Sequence, residues 1–376
     1  MFLPLEAVWS DERADQTRRA LKEDVVSGYT RYQAGDIVCP KVTPTFQAGR
    51  SMIAKSTGAG TTELHVLRAR PEVDARWIWY AVRSKHFLEE GVTAFQGVAG
   101  LQRAPEEFVA GFAVVDIDIH EQRRIADFLD DRVARVDQII AARRQQILAL
   151  RSTWTIELDQ ILGGVPDSTR ASRVVRVLPG YAFPSSDFSV DESDRRLLRG
   201  TNVGVGETRW DEVAYWPHDR VDEVREFTLC AGDVVIGMDR PWIGRGLRIA
   251  QISEQDGGPL LLQRVAKISS PVVTSPFLFW AFQSIGFRAQ VEAELTGLSV
   301  PHLSGEQIGS FRMPICNEAS QMQVVKALNS RSREVAGLTR VLEATIERLS
   351  EYKQSLITSA VTGELDVTTA GRTQPQ

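Results

Sequence analysis

The side chains best equipped for chemistry lie in Met238-Asp-Arg-Pro-Trp-Ile-Gly-Arg-Gly-Leu-Arg248, where Arg240, Arg245 and Arg248 gather positive charge among turn-forming Gly and Pro residues. A guanidinium is a planar fork of donors that fits phosphate or the acceptor edge of guanine, and loops are where recognition residues sit. Trp242 in the same run offers a flat face to a sugar, or a cap to a core. The plainer reading of the run is a solvated turn between two strands. A second run, Pro40-Lys-Val-Thr-Pro-Thr-Phe-Gln47, carries Lys41, Thr43, Thr45 and Gln47, donors suited to phosphate or base edges. Gln102 with Arg103, and His302, close loop-like stretches just ahead of two long helical patterns.

Nothing in the sequence points to catalysis, a cofactor or a metal. Gly58/Gly60, Gly204/Gly206 and Gly244/Gly246 are isolated GxG pairs outside any strand–turn–helix fingerprint. There is no GxxxxGK[ST] and no Asn-Pro-Pro-aromatic run, and the five histidines are dispersed. Cys39, Cys230 and Cys316 stand far apart, so they read as reduced, buried thiols of a cytoplasmic protein. At 376 residues, with 43% hydrophobic and 25% charged side chains, the chain has the composition of a soluble protein of two or three domains. A net charge of −5 does not advertise nucleic-acid binding, although basic charge is carried by 37 Arg against 7 Lys. A GC-rich coding bias explains that imbalance equally well.

Two long stripes must position these residues. From Glu121 to Gly163 there is no internal Pro or Gly, and apolar residues recur mostly in steps of three and four at Ile125, Leu129, Val133, Val136, Ile140, Ile147, Leu150, Trp154, Leu158 and Ile161. From Ser320 to Thr362 a heptad runs through Val324, Leu328, Arg331, Val335, Leu338, Leu342, Thr345, Leu349, Tyr352 and Leu356. Each predicts a rod of roughly 60 Å that cannot bury its own stripe, so the two are expected to pair, antiparallel, as a coiled coil. Arg143, Arg144, Arg151, Glu157 and Asp159 read as a solvated face of the first rod.

The chain also repeats itself. Ala34-Gly-Asp-Ile-Val matches Ala231-Gly-Asp-Val-Val, Asp74–Phe87 has a helical counterpart at Ser275–Phe287, and Gln122, Ile125 and Leu129 fall on Gln321, Val324 and Leu328. The plan is module, rod, module, rod: 1–120, 121–163, 164–319 and 320–362, with a flexible tail at 363–376. The fold class is α+β, two α/β modules and two paired helices in a pseudo-two-fold repeat. Gly91–Arg103 reads as loop and Gly163–Arg173 as linker. The first module is about a third shorter than the second at its N-terminal side.

This plan, the helix start EQRRIADFLDDRVARVDQII, the run GLSVPHLSGEQIGSFRMPI before the second rod and the ending AVTGEL resemble the specificity subunits of type I restriction–modification systems. The resemblance implies a non-catalytic subunit that binds double-stranded DNA without a cofactor. Each module would be a target-recognition domain for one half of a bipartite site. The rods would set the gap and dock two methyltransferase subunits, with a restriction subunit completing the enzyme. It also implies that Gln102, Arg103 and His302, which close the loops before the rods, lie on the DNA side. Half-sites one turn apart lie about 34 Å apart, within the reach of such rods. The competing reading is a coiled-coil assembly scaffold with no DNA role. It explains the rods and the acidity, but not two diverged copies of a polar-looped module.

Overall fold

The β-branched pair that follows the Gly35-Asp36 turn becomes a central strand with all its side chains buried. It is seen in a computed structural model that describes residues 1–11, 13–21, 27–97, 102–244, 246–294 and 302–368, the side chains of 293 and 294 excepted. The strand belongs to the first of two units, residues 1–147 with 340–376; the second unit is 148–339.

In the first unit β1 (Phe2–Leu3), β2 (Thr30–Tyr32), β3 (Ile37–Pro40), β4 (Met52–Ile53), β5 (Gly58–Gly60) and β6 (Leu64–Leu67) form two small sheets. β5 lies between β1 and β2, and β3 runs antiparallel between β4 and β6. Helices α1 (Ala75–Ala81), α2 (Lys85–Thr93) and α3 (Glu106–Gly111) lead into α4 (Ile119–Gly163). The single helix expected over 74–87 is therefore two. The Ser84 hydroxyl accepts from the Phe87 amide and starts the second one. Nor is Gly91 in a loop: it lies inside α2, where an added Cβ would run into the Phe46 ring. Only glycine lets that helix pass the ring.

The second unit repeats the arrangement with more strands. β7 (Asp167–Arg170), β8 (Arg176–Pro179), β9 (Arg195–Leu198), β10 (Tyr215–Trp216), β11 (Val234–Gly237), β12 (Trp242–Ile243), β13 (Gly246–Leu247), β14 (Ile249–Gln251), β15 (Leu260–Leu261), β16 (Val265–Ser269) and β17 (Arg312–Ile315) accompany α5 (Ser275–Ala281), α6 (Ile285–Glu294), α7 (Gly305–Ser310) and α8 (Glu318–Val361). β11 sits antiparallel between β14 and β16, as β3 sits between β4 and β6. The stretch expected as a linker is ordered. β7 pairs with β17, and Ala171 is fully buried against the core of this unit.

The long helices pair antiparallel within each unit. In the first, Ile125, Leu129 and Val133 pack with Ile357, Ala360 and Val361, while Asp137 meets Lys353 at 2.6 Å. In the second, Leu158 and Leu162 share a core with Val324 and Leu328, while Glu157 takes both arms of the Arg331 fork at 2.6 and 2.9 Å. Of the expected seam, Ile125, Leu129, Val136, Ile140, Ile147, Leu328 and Val335 are buried. Leu150, Trp154, Val324, Leu342, Leu349 and Leu356 are half-buried. Leu338 and Tyr352 depart, 45% and 54% exposed. A helix of 3.6 residues per turn drifts about 20° per heptad against a strict seven-residue stripe. Four heptads beyond Val324 the inward position has moved on by about one residue, from Tyr352 to Lys353, and Ile357 lies deeper than Leu356. Glu157 and Asp159 are not a solvated face either: Glu157 pairs with Arg331, and Asp159 accepts from the Ile285 amide.

Matching contacts recur in the two units. The buried amide of Gln122 accepts from Asp74 N and donates to Ile117 O; that of Gln321 accepts from Thr274 N and donates to Cys316 O and Val272 O. Tyr80 donates to Asp130, and Trp280 to Asn329, through bonds of 2.7 and 2.9 Å. Lys85 N donates to Thr358 as Ile285 N does to Asp159. The chemistry differs at one junction. In the first unit Arg76 pairs with Asp127 and Asp130, and Arg83 is buried over the rings of Trp79 and Tyr80. In the second, Trp280 and Asn329 make a neutral pair. Cys39 is the buried thiol the sequence implied, pushed up to about 12 by burial, but Cys230 is exposed and Cys316 half-buried. Of the tail, Val367 is buried, and residues from 369 onward lie outside those described.

Candidate nucleic-acid interface

Each unit carries one small backbone hub that joins the end of its central strand to the segment ahead of its last short helix. In the first, Lys41 N donates to Glu63 O at 2.8 Å, Ala104 N donates to Lys41 O at 2.9 Å, and Val42 bridges Arg103. In the second, Met238 N donates to Arg264 O at 2.8 Å, Leu303 N donates to Met238 O at 2.7 Å, and Asp239 bridges His302. The backbone plan is the same. At matching places stand buried Val42 with Glu63 and Arg103 in one unit, and Asp239, Arg264 and His302 in the other. A fixed frame with exchanged polar groups is what reading two different ligand edges requires.

In the first hub Arg103 forks onto Glu63, both bonds 2.7 Å, and that guanidinium holds the Glu63 carboxyl below its usual range. Gln102 is exposed and contributes its carbonyl to Thr43 N. Among the described residues the half-buried Lys41 has no carboxylate partner. The Thr45 hydroxyl donates to Val42 O at 2.6 Å, which spends its proton within the loop. Gln47 stands apart, exposed, and lines a groove with Lys85, Glu89, Gln354 and Thr358. Behind the hub, buried His65 bonds Ala104 O, and burial holds its imidazole below the usual range, so it remains neutral scaffolding.

The second hub is richer in cations. Asp239 Oδ1 receives His302 Nδ1 at 2.7 Å and an Arg264 Nη1 at 3.4 Å. Arg248 is turned inward: its Nε donates to Val203 O and its Nη1 to Asp239 O. Burial lowers its guanidinium below the ordinary range. Trp242 lies in the β12–β13 hairpin against the core, 6.2 Å from the Phe287 ring, so it caps the core rather than offering a free face. Arg240 is exposed, and among the described residues it has no ion-pair partner. Arg245 lies outside the described residues.

Arg240 and Arg264, with φ of 45° and 72°, are also the non-glycine residues held in the left-handed region among those described. Such a conformation costs about 1–3 kcal/mol per residue, and it concentrates at functional sites. Glu63 and Arg264 carry no signal in the residue pattern, because they stand at the starts of β6 and β16 rather than in Gly/Pro loops, and only their matching places in the repeat point to them. Asp239 lies inside the Gly/Pro run, but a search for cations passes over a carboxylate.

No family model matches the chain. Over 90% of its length it is 24% identical to the Type I restriction enzyme EcoAI specificity subunit of Escherichia coli, 74% of which is covered. Over 85% of its length it is 21% identical to the Type I restriction enzyme MjaVIII specificity subunit of Methanocaldococcus jannaschii, with 77% of that protein covered. Among solved structures, a chain of a type I R-M system studied for its complex assembly and conformational transition shares the fold. The TM-score is 0.72 at 15% identity, over 97% of this chain and 91% of the other.

Proposed function

We infer that this chain is the DNA sequence-specificity subunit of a type I restriction–modification complex. The observation that carries the reading is the repeated hub: one backbone frame, built twice, presenting Glu63/Arg103 in one copy and Asp239/Arg264/His302 in the other. Each module, about 1–120 and 164–319, reads one half of a bipartite site. The paired helices fix the gap and carry the methyltransferase subunits, two of them, one for each half of the repeat. The subunit itself is non-catalytic. A restriction subunit joins to complete the nuclease, and the assembly works in the cytoplasm; no described helix is long and apolar enough to cross a membrane.

Lys41, Thr43, Gln102, Arg103, Arg240, Arg245, Arg264 and His302 are the side chains assigned to DNA. Thr45, Trp242 and Arg248 serve mainly to hold the hubs, and Gln47 belongs to a separate groove. A net charge of −5 leaves much of the phosphate neutralisation to partners, so the isolated chain is expected to bind DNA weakly and the complex strongly. A pure scaffold has no use for two hubs with the same frame and different polar groups.

The test is co-expression with a methyltransferase subunit encoded beside it, followed by mapping of methylated bases in the host DNA. Methylation at two short half-sites separated by a fixed gap is the expected result. A stable complex that methylates nothing, or a single half-site, overturns the two-module reading.

A further inference from the structure

The second hub contains a hydrogen bond whose consequence reaches beyond general DNA affinity. Asp239 and His302 face each other across an antiparallel bridge, and the carboxylate Oδ1 lies 2.7 Å from His302 Nδ1. A carboxylate can only accept, so this contact places a proton on Nδ1. The ring is thereby oriented, and among the described residues Nε2 has no hydrogen-bond partner. Both side chains are about 40% exposed, so the pair lies at the surface of the unit.

The surroundings hold Asp239 in place rather than competing for the imidazole. Arg248 donates to the Asp239 carbonyl, Leu303 N donates to Met238 O, and Arg264 reaches the same Oδ1 from a left-handed turn. Arg240, next in the chain, is exposed and held at φ 45°. The result is one oriented ring beside two exposed arginines on left-handed backbone, Arg264 touching Asp239 at 3.4 Å and Arg240 without an ion-pair partner among the described residues. In the first unit the equivalent bridge pairs apolar Val42 with Arg103, whose fork is taken by Glu63, so the device has no counterpart there.

We propose that His302 is a specificity-determining residue whose Nε2 reads a single base edge in the half-site bound by the second module, and that Asp239 is the positioning residue that aims it. Arg240 and Arg264 supply phosphate attraction with little sequence content. The inference rests on the DNA-specificity reading above and adds to it a named atom and a division of labour.

The test uses the full chain assembled with its methyltransferase subunits and a DNA library randomised in both half-sites. Preference in the first half-site serves as the internal control for folding and assembly. His302→Ala is expected to reduce discrimination at one base pair of the second half-site by roughly 5- to 30-fold, with the other positions and the first half-site unchanged. Asp239→Leu is expected to blunt the same base pair. Asp239→Asn, whose amide oxygen still accepts from Nδ1, is expected to retain most of the preference, which separates aiming from bulk charge. Arg264→Gln is expected to weaken binding to all sequences alike and to lower the salt dependence by about one ion.

If His302→Ala keeps the full second-half preference while the complex still reads a bipartite site, the inference falls and the DNA-specificity reading stands. If Asp239→Asn loses as much as Asp239→Leu, the aiming role is refuted. If the unaltered complex, intact, shows no bipartite preference, the underlying reading fails and the inference fails with it.

Discussion

Gln321 gives the sharpest prediction about how a module is fastened to its helix. It is fully buried, accepts from Thr274 N at 2.8 Å, and donates to Cys316 O at 2.9 Å and to Val272 O at 3.1 Å. Gln321→Leu keeps most of the volume and deletes both polar ends. Val272 is exposed, so its carbonyl regains water, but Thr274 and Cys316 are half-buried and their backbone groups lose their partner. Two such groups at about 1–3 kcal/mol each, less what the added apolar burial returns, give about 2–4 kcal/mol. For a cooperative unit of roughly 150–250 residues that lowers Tm by about 5–15 °C. Gln321→Glu keeps the acceptor but turns a second oxygen toward two carbonyls, and is expected to be at least as damaging at neutral pH. Gln122→Leu, which breaks two bonds rather than three, is expected to cost less. The assay is urea unfolding followed by circular dichroism, with hydrogen exchange at the Thr274 amide as the local readout. A loss below about 1 kcal/mol for Gln321→Leu, or wild-type stability for Gln321→Glu, would show that this amide does not fasten the module.

Three further outcomes can be measured. Burial alone would raise the Asp256 carboxyl, but bonds from Ser253, Trp210 and Thr208 outweigh it and hold it low. Its stabilisation is therefore complete above the unfolded value near about pH 4 and disappears as pH falls through the depressed folded one. Asp256→Asn should cost about 2–3 kcal/mol at pH 7 and progressively less in acid, and a pH-independent deficit in denaturation midpoints would contradict this. Lys353 and Asp137 meet at 2.6 Å with 18% of each side chain exposed. Lys353→Met should destabilise the first unit by about 1–3 kcal/mol by stranding the carboxylate, and adding Asp137→Leu should recover part of the loss in a double-mutant cycle. In the assembled complex, Lys41→Ala and Arg240→Ala should each weaken all sites alike and reduce the salt slope by about one, measured by titration across salt concentrations; a selective loss at one base pair would reassign the residue to base reading.

The helices were legible because a long stripe is a global signal. Ile125, Leu129 and Leu328 are buried where the periodicity puts them, and Tyr352 escapes because a seven-residue template ignores the drift of a real helix. The repeat was legible in Gln122 and Gln321, although their function as paired amide clasps depends on backbone groups that no residue pattern reveals. The ordering of 167–173 was hidden because β7 is completed by β17, more than a hundred residues away. At the hubs, a rule that seeks cations in Gly/Pro loops found Arg240 and also Arg248, yet the side chain of Arg248 is consumed by Val203 and Asp239 carbonyls. It passed over Arg264, whose exposure follows from a left-handed turn between two short strands.

The unlike junctions carry a consequence for recombination. Tyr80 is matched to Asp130, and Trp280 to Asn329. The partner in each case lies about three turns into the helix that follows the module. A crossover placed at the start of that helix would set an indole opposite a carboxylate that has lost Arg76, or a phenol opposite an amide, and would part buried Arg83 from Asp130. The portable segment is therefore a module together with the first three turns of its helix. Shuffling within those limits preserves a fitted lock, and shuffling at the visible module boundary breaks it.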